Sequence, residues 1–130
     1  MMRLRNQRGE RGAAAVEFAL ILPVLLLLVL GVIEFSRVYN VQISLSNAAR
    51  EGARTMAIHN NPVQARSAAS LAAPSVTSPA LTAGNVTVSP TDCAAGSTVT
   101  VTIHYDVHLM TGYFGPTLPL TGKGVMLCGG

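Results

Sequence analysis

The stretch that decides the fold is residues 12–33, GAAAVEFALILPVLLLLVLGVI. No side chain from Phe18 to Ile33 is polar. Counted from Ala13, the nearly apolar segment has 21 residues, and a helix of that length spans roughly 30 Å, the hydrocarbon thickness of a bilayer. We therefore predict one membrane-spanning helix over residues 13–33.

Two residues inside this run are unusual for a simple anchor. An ionised carboxylate near the bilayer centre costs on the order of 2 to 4 kcal/mol, so Glu17 needs either a partner or a position close enough to the cytoplasmic interface to reach water. Both alternatives stay open from the residues alone. Pro23 removes one helical N–H and predicts a helix kink, which membrane helices commonly tolerate.

The basic residues are concentrated before the apolar run. The first twelve residues hold four arginines and one acid, Glu10, and so carry the whole formal charge of +3, while residues 13–130 sum to zero. These arginines are Arg3, Arg5, Arg8 and Arg11. Residues 13–130 therefore offer no basic surface for nucleic acid. By the positive-inside rule, the N-terminus lies in the cytoplasm and everything after about Phe35 lies outside the cytoplasmic membrane.

A secretory signal peptide is the alternative for this N-terminus. Such a peptide has an apolar core of about 7 to 15 residues followed by a small-x-small cleavage site. Here the run is longer and continues into bulky and polar residues, VIEFSRVYN. We therefore expect the helix to remain in the mature protein.

The two cysteines fall in the exported part. Cys93 and Cys128 would close a loop of about 35 residues, and in the chain-entropy model such a disulfide contributes about 3 to 4 kcal/mol. Two unpaired thiols or an intermolecular bridge are the alternatives.

The helical pattern continues beyond the membrane run as an amphipathic helix over residues 34–58. Apolar or small residues recur at spacings of three and four, and HNNP at residues 59–62 should end the helix. The apolar set is Val38, Val41, Leu45, Ala48 or Ala49, Gly52 and Met56. We interpret Glu34 with Arg37, and Glu51 with Arg54, as solvated ion pairs on the other side.

The rest of the chain divides into a connection over residues 59–83 and a small β domain over residues 84–130. Asn61 as cap and Pro62 as first residue predict a short second helix that Pro74 stops. Period-two alternation predicts strands over 85–89 and 97–109, with Val99, Val101, Ile103, Tyr105, Val107 and Leu109 on the buried face. We expect loops over residues 111–124 and a last short strand, GVMLC. The predicted fold class is α+β, a long N-terminal transmembrane-plus-amphipathic helix carrying a small antiparallel sheet domain.

One cluster has residue types suited to catalysis or metal binding, namely His104, Asp106 and His108. The two histidines are about 13 Å apart along a strand, too far for one site without a bend, so we interpret the three as a solvated strand face. The sequence also lacks a P-loop, a nucleophile elbow, CxxC and HExxH. We predict no enzyme activity, no metal, no cofactor and no small-molecule substrate.

Residues 11–54, RGAAAVEFALILPVLLLLVLGVIEFSRVYNVQISLSNAAREGAR, resemble the N-terminal region of the TadE-like family, minor pilins or pseudopilins of tight-adherence (Tad/Flp) pilus systems. The motifs RGAAAVEFALILP and NAAREGAR carry this resemblance. The family is similar to type IV prepilins in a short basic leader ending in Gly, a small or apolar residue next, and Glu at the fifth mature position. Gly12, Ala13 and Glu17 match that pattern. Phe18 departs from the Tyr of the major Flp pilins, which favours the minor class.

The resemblance implies that a prepilin peptidase cleaves the leader, residues 1–12, between Gly12 and Ala13. It further implies a pilin-like subunit of the bacterial cytoplasmic (inner) membrane, whose partners are other Tad/Flp pilins, inner-membrane platform proteins and membrane lipid. Two rivals remain: an uncleaved single-pass anchor with a binding domain, and a tethered hydrolase or metal enzyme that would depend on His104, Asp106 and His108.

Overall fold

The computed structural model describes residues 7–129 of the chain. Helix α1 spans Gln7–His59 and helix α2 spans Pro62–Leu71, followed by a single 3-10 turn at Ala83–Asn85. Three strands complete the fold: β1 Val86–Ser89, β2 Thr98–His108 and β3 Thr117–Leu127. The chain is an α+β protein with a long apolar N-terminal helix and a small antiparallel sheet, as its sequence predicts. Arg3 and Arg5 of the predicted leader lie outside the described residues.

The chain forms two units that meet between Phe35 and Ser36. In the first unit, α1 carries the apolar run, and the large apolar side chains from Val16 to Ile33 are exposed. Within the described residues, α1 is the one helix long and apolar enough to cross a membrane by length and composition. This unit therefore has the properties of a membrane anchor.

The second unit is built on the three-stranded sheet, whose order is β1-β2-β3 with both pairs antiparallel. Strand β2 alternates buried and accessible residues along its whole length. Its inward side chains are Val99, Val101, Ile103, Tyr105 and Val107, all of which are buried. This confirms the apolar face predicted from the period-two pattern except at Leu109, which follows the end of β2 and is only half-buried.

The second half of α1 packs its small and apolar face into the core of this unit. Five of its residues are buried, and Val38 and Val41 pack partly buried against the same cluster. The buried residues are Leu45, Ala48, Ala49, Ala53 and Met56. Helix α2 adds Ala65 and Ala69 to this core. Asn61 caps the N-terminus of α2, where its side-chain oxygen accepts hydrogen bonds from the N–H groups of Val63 and Gln64. The predicted cap and second helix are thus confirmed.

The prediction of loops over residues 111–124 is wrong for residues 117–124, because β3 occupies Thr117–Leu127. A Cβ on Gly122 would lie 2.5 Å from the carbonyl oxygen of Leu45, and one on Gly124 would lie 2.5 Å from that of Ala49. These glycines therefore allow β3 to approach the α1 backbone and do not interrupt the strand. Pro119 is tolerated because β3 is an edge strand.

The interpretation of Glu34 as a solvated residue is also wrong, since its side chain is buried with 6% of its surface exposed. The Arg37 guanidinium donates a hydrogen bond of 3.1 Å to the backbone carbonyl of His108. The other predicted pair stands on the surface, where Arg54 Nη1 lies 3.8 Å from Glu51 Oε2. Such an exposed pair contributes a few tenths of a kcal/mol, roughly 0.3 to 0.5.

The end of α1 is fixed to the segment that bears Cys93. Asn60 has a left-handed backbone with φ of 45°, and its N–H donates to the carbonyl of Met56 at 2.9 Å. Its side-chain oxygen accepts from the Cys93 N–H at 2.6 Å, while its amide nitrogen donates to Asp92 Oδ1 at 2.7 Å. Cys93 and Cys128 form a disulfide with their Cα atoms 5.5 Å apart.

Candidate assembly segment

The residues predicted to flank the cleavage site lie in the first turns of α1. Because the helix begins at Gln7, the peptide bond between Gly12 and Ala13 has helical geometry. A Cβ built on Gly9 or on Gly12 would meet no atom within 4 Å, so packing does not require glycine at either position. Glycine inside a helix destabilises it by about 0.5 to 1 kcal/mol relative to alanine. This part of α1 is therefore locally weak.

Glu17 lies one helical turn after Ala13 and is exposed on α1. Four residues correspond to about 6 Å along the helix axis. Among residues 7–129, the Glu17 carboxylate forms neither a hydrogen bond nor an ion pair with another side chain or backbone group. The carboxylate is thus accessible to another molecule. Pro23 lies within α1, which is helical on both sides of it.

The motif NAAREGAR, residues 47–54, packs inside the second unit. A Cβ on Gly52 would lie 2.9 Å from Ala69 Cβ, 3.1 Å from the carbonyl oxygen of Ala65 and 3.2 Å from Val101 Cγ1. Gly52 therefore sits where α1 meets both α2 and strand β2. The small residues of this motif let the two layers approach α1 closely, a reason that the sequence alone did not provide.

His104, Asp106 and His108 lie on the exposed face of β2. His104 Nδ1 is 3.4 Å from the hydroxyl oxygen of Thr121 on the neighbouring strand. Within the part of the chain that the structure describes, no group of three His, Cys, Asp or Glu residues is placed to hold a metal ion.

Tyr105 is a buried polar group of β2 that sequence reasoning assigned only to the core. Its hydroxyl donates a hydrogen bond of 2.7 Å to the carbonyl of Pro79. Burial raises the pKa of the Tyr105 hydroxyl above its ordinary value, and the positive charge of Arg37 partly offsets that rise. The bond joins the sheet to the connection that follows α2.

Comparison with known proteins bears on the segment that contains Gly12, Glu17 and the NAAREGAR motif. Residues 12–54 match the family model described as TadE-like protein. The match covers the apolar run and the part of α1 that packs in the second unit, and it stops before α2 and the sheet. No curated protein and no solved structure matches the chain.

The match confirms the resemblance predicted from the two sequence motifs. The exposed apolar part of the same segment is consistent with a membrane anchor. The matched range begins at Gly12, the last residue of the predicted leader, and ends at Arg54, the last residue of the NAAREGAR motif.

Proposed function

We propose that this protein is a minor pilin or pseudopilin that contributes to the assembly or initiation of a Tad/Flp-type pilus. The observation that carries the proposal is the placement of Gly12, Ala13 and Glu17 at the start of a segment that matches the TadE-like model. In this proposal a prepilin peptidase removes residues 1–12 on the cytoplasmic side, and α1 becomes the mature N-terminus in the inner membrane. The second unit then lies outside the cytoplasm.

Removal of the leader changes the charge at the inner end of the helix. Four arginines and Glu10 are lost, and a single α-amino group forms on Ala13. Hydrated arginines hold a helix end at the cytoplasmic interface, because moving a charged group through the bilayer is costly. Cleavage thus weakens the resistance to extracting the helix from the membrane. The local weakness of α1 at Gly9 and Gly12 supports access of a peptidase to this bond.

The new amine gives Glu17 a partner. In a bundle of pilin helices, the Glu17 carboxylate of one subunit pairs with the Ala13 amine of a neighbour, and each charge neutralises the other in an apolar environment. The exposed position of Glu17 on α1 supports this pairing. Removing one partner from such a buried pair costs about 3 to 5 kcal/mol. The partners are accordingly other Tad/Flp pilins, with the platform proteins of the inner membrane and the surrounding lipid.

The test replaces Glu17 in the cell that produces the protein. Glu17→Ala and the nearly isosteric Glu17→Gln should leave membrane insertion intact and abolish incorporation into, or initiation of, the pilus. Glu51→Ala is the control, because it removes a half-exposed carboxylate of α1 outside the apolar run and should leave piliation unchanged. Normal piliation in both Glu17 variants would refute the proposed role of this carboxylate.

An uncleaved envelope protein is the second candidate, favoured by the exposed apolar helix taken by itself. In that case α1 anchors the second unit, and the arginine-bearing leader stays in the mature chain. Deleting the prepilin peptidase distinguishes the two functions. The pilin proposal expects the protein to become larger by the leader, whereas an uncleaved anchor keeps the same size.

A further inference from the structure

The loop between β2 and β3, residues 109–116 with the sequence LMTGYFGP, contains no charged residue. Three of its large side chains are strongly exposed: Met110 at 71%, Tyr113 at 77% and Phe114 at 81%. Tips of hairpins ordinarily carry Gly, Pro, Asn, Asp or Ser. Two adjacent exposed aromatic residues at such a tip therefore suggest a surface that contacts something apolar.

The backbone of this β2–β3 loop is closed by hydrogen bonds. The Gly115 N–H donates to the carbonyl of Gly112, and the Leu109 N–H donates to that of Pro116. Gly112 and Gly115 both have positive φ angles, of 64° and 103°. The turn thus places Tyr113 and Phe114 as its two central residues, between the glycines. The aromatic pair is held at the tip by the fold of the loop.

Contacts within the second unit show which end of the sheet bears this loop. Arg37 donates a hydrogen bond to the carbonyl of His108 at the end of β2. On β3, the carbonyl of Thr121 accepts from Gln42 Nε2 at 2.9 Å, and a Cβ on Gly124 would meet Ala49. Strand β3 therefore advances along α1 in the direction of increasing residue number. The β2–β3 loop lies at the Arg37 end of this packing, and the Asn60 contacts lie at the opposite end.

Arg37 follows Ile33, the last residue of the apolar run, by only four residues, so the chain itself keeps Arg37 within roughly 14 Å of the end of that run. The β2–β3 loop starts at Leu109, the residue after the carbonyl that Arg37 binds. Aromatic side chains, Tyr in particular, are enriched at the level of lipid headgroups. Tyr39 of α1 follows the apolar run at nearly the same position and is also exposed.

We propose that Tyr113 and Phe114 insert into the outer interface of the membrane that α1 spans, so that the second unit contacts the lipid surface through this loop. The inference rests on the membrane insertion of α1 that is part of the proposed function. The loop carries no charge that would have to be desolvated, and its partner is lipid and not a second protein.

The chain has no Trp, so a single introduced Trp reports its own surroundings. The full-length protein is reconstituted at a low protein-to-lipid ratio into vesicles of phosphatidylethanolamine and phosphatidylglycerol, with or without bromine on acyl-chain carbons near the headgroup. Phe114→Trp preserves the aromatic character of the tip. Val63→Trp is the matched control, because Val63 is 71% exposed and lies at the Asn60 end of the second unit, just beyond His59, which is about 33 Å from Arg37 along α1. Leu28→Trp reports on α1 itself, with bromine placed deep in the acyl chains.

The proposal expects bromine to quench the Phe114→Trp emission, and it expects that emission to lie at shorter wavelength than the unquenched emission of Val63→Trp. If Leu28→Trp is quenched and Phe114→Trp is not, α1 is in the membrane and the inference is wrong. If Leu28→Trp is not quenched either, membrane insertion fails and the proposed function fails with it. A blue shift of Phe114→Trp that requires a high protein-to-lipid ratio would assign the loop to a second copy and would also overturn the inference.

Discussion

Gly124→Ala tests the packing of β3 against α1, the part of the fold that differs most from the sequence-based prediction. The added Cβ would lie 2.5 Å from the carbonyl carbon and oxygen of Ala49 and 2.6 Å from the nitrogen of Arg50. All three are backbone atoms, so no side-chain rotation can relieve the contact. Carbon atoms pack at about 3.5 to 4.0 Å, so the strand and the helix must separate by about 1 Å.

This separation sets the expected loss of stability. A gap of about 0.5 to 1 Å between packed atoms removes a quarter to a half of their dispersion energy. Substitutions that overpack a core typically lower the free energy of unfolding by about 1 to 3 kcal/mol. Because the obstruction is backbone, we expect the upper end, about 3 kcal/mol. For a unit of 95 residues, 36–130, a loss of that size lowers the melting temperature by about 12 to 24 °C.

The assay is thermal denaturation of the full-length protein in detergent, followed by near-ultraviolet circular dichroism, which reports the environment of Tyr105 and the disulfide. Gly84→Ala is the control, since a Cβ there would meet only Thr82 Oγ1, at an ordinary 3.6 Å. We expect the control to stay within about 0.5 kcal/mol of wild type. The same result for Gly124→Ala would refute the close approach of β3 to α1.

Three further predictions concern the second unit. Asn60→Gly should destabilise it by about 1 to 3 kcal/mol, measured by chemical denaturation, because the Cys93 N–H loses its acceptor. Asn60→Ala should cost about 1 kcal/mol more, because alanine disfavours the positive φ of this residue. Equal losses would contradict the strained backbone. Replacing Cys93 and Cys128 together by Ala should lower the free energy of unfolding by about 4 kcal/mol through the opened loop of 35 residues, and a loss below about 1 kcal/mol would contradict this. Folding raises the pKa of Tyr105, so the contribution of its protonated hydroxyl to the free energy of unfolding is complete below the unfolded pKa of about 10 and is lost as the pH rises through the folded pKa. Denaturation measured at pH values above about 10 should therefore show a declining free energy of unfolding, and Tyr105→Phe should reduce that decline. An unchanged decline in that variant would assign the pH dependence to other groups.

The elements that follow one strong periodicity could be predicted from the sequence. The amphipathic part of α1 and the alternation of β2 each indicate which residues are buried, because every third to fourth residue of that part of the helix and every second residue of the strand is apolar or small. Leu45 and Met56 on α1, and Val101 and Ile103 on β2, are buried as those patterns require. Asn61 and Pro62 likewise predicted the start of α2, because a cap acts through its own neighbours.

Features that depend on a distant part of the chain could not be predicted in this way. Gly122 and Gly124 have the composition of a turn, and only the approach of α1 explains why they belong to a strand. Glu34 has the spacing of a solvated helix pair with Arg37, yet Glu34 is buried and Arg37 binds the carbonyl of His108. Asn60 was predicted only as part of the HNNP sequence that ends α1, because its contacts Asp92 and Cys93 are more than thirty residues away in sequence.

The candidate assembly segment shows the same division. Gly12, Ala13 and Glu17 were found from their order along the chain, and the match to the TadE-like model covers all three. The exposed tip of the β2–β3 loop was not singled out, because Tyr113 and Phe114 gain their meaning from the end of the sheet on which they lie. Sequence order thus located the residues proposed for processing, and tertiary contacts were needed to locate the surface proposed to touch lipid.

The central claim is that the leader is removed between Gly12 and Ala13. The most direct measurement is the intact mass of the protein isolated from the cell that naturally produces it, combined with sequencing of its first residues. We expect a chain that begins at Ala13. A mature protein that still carries Arg11 and the residues before it would contradict the account.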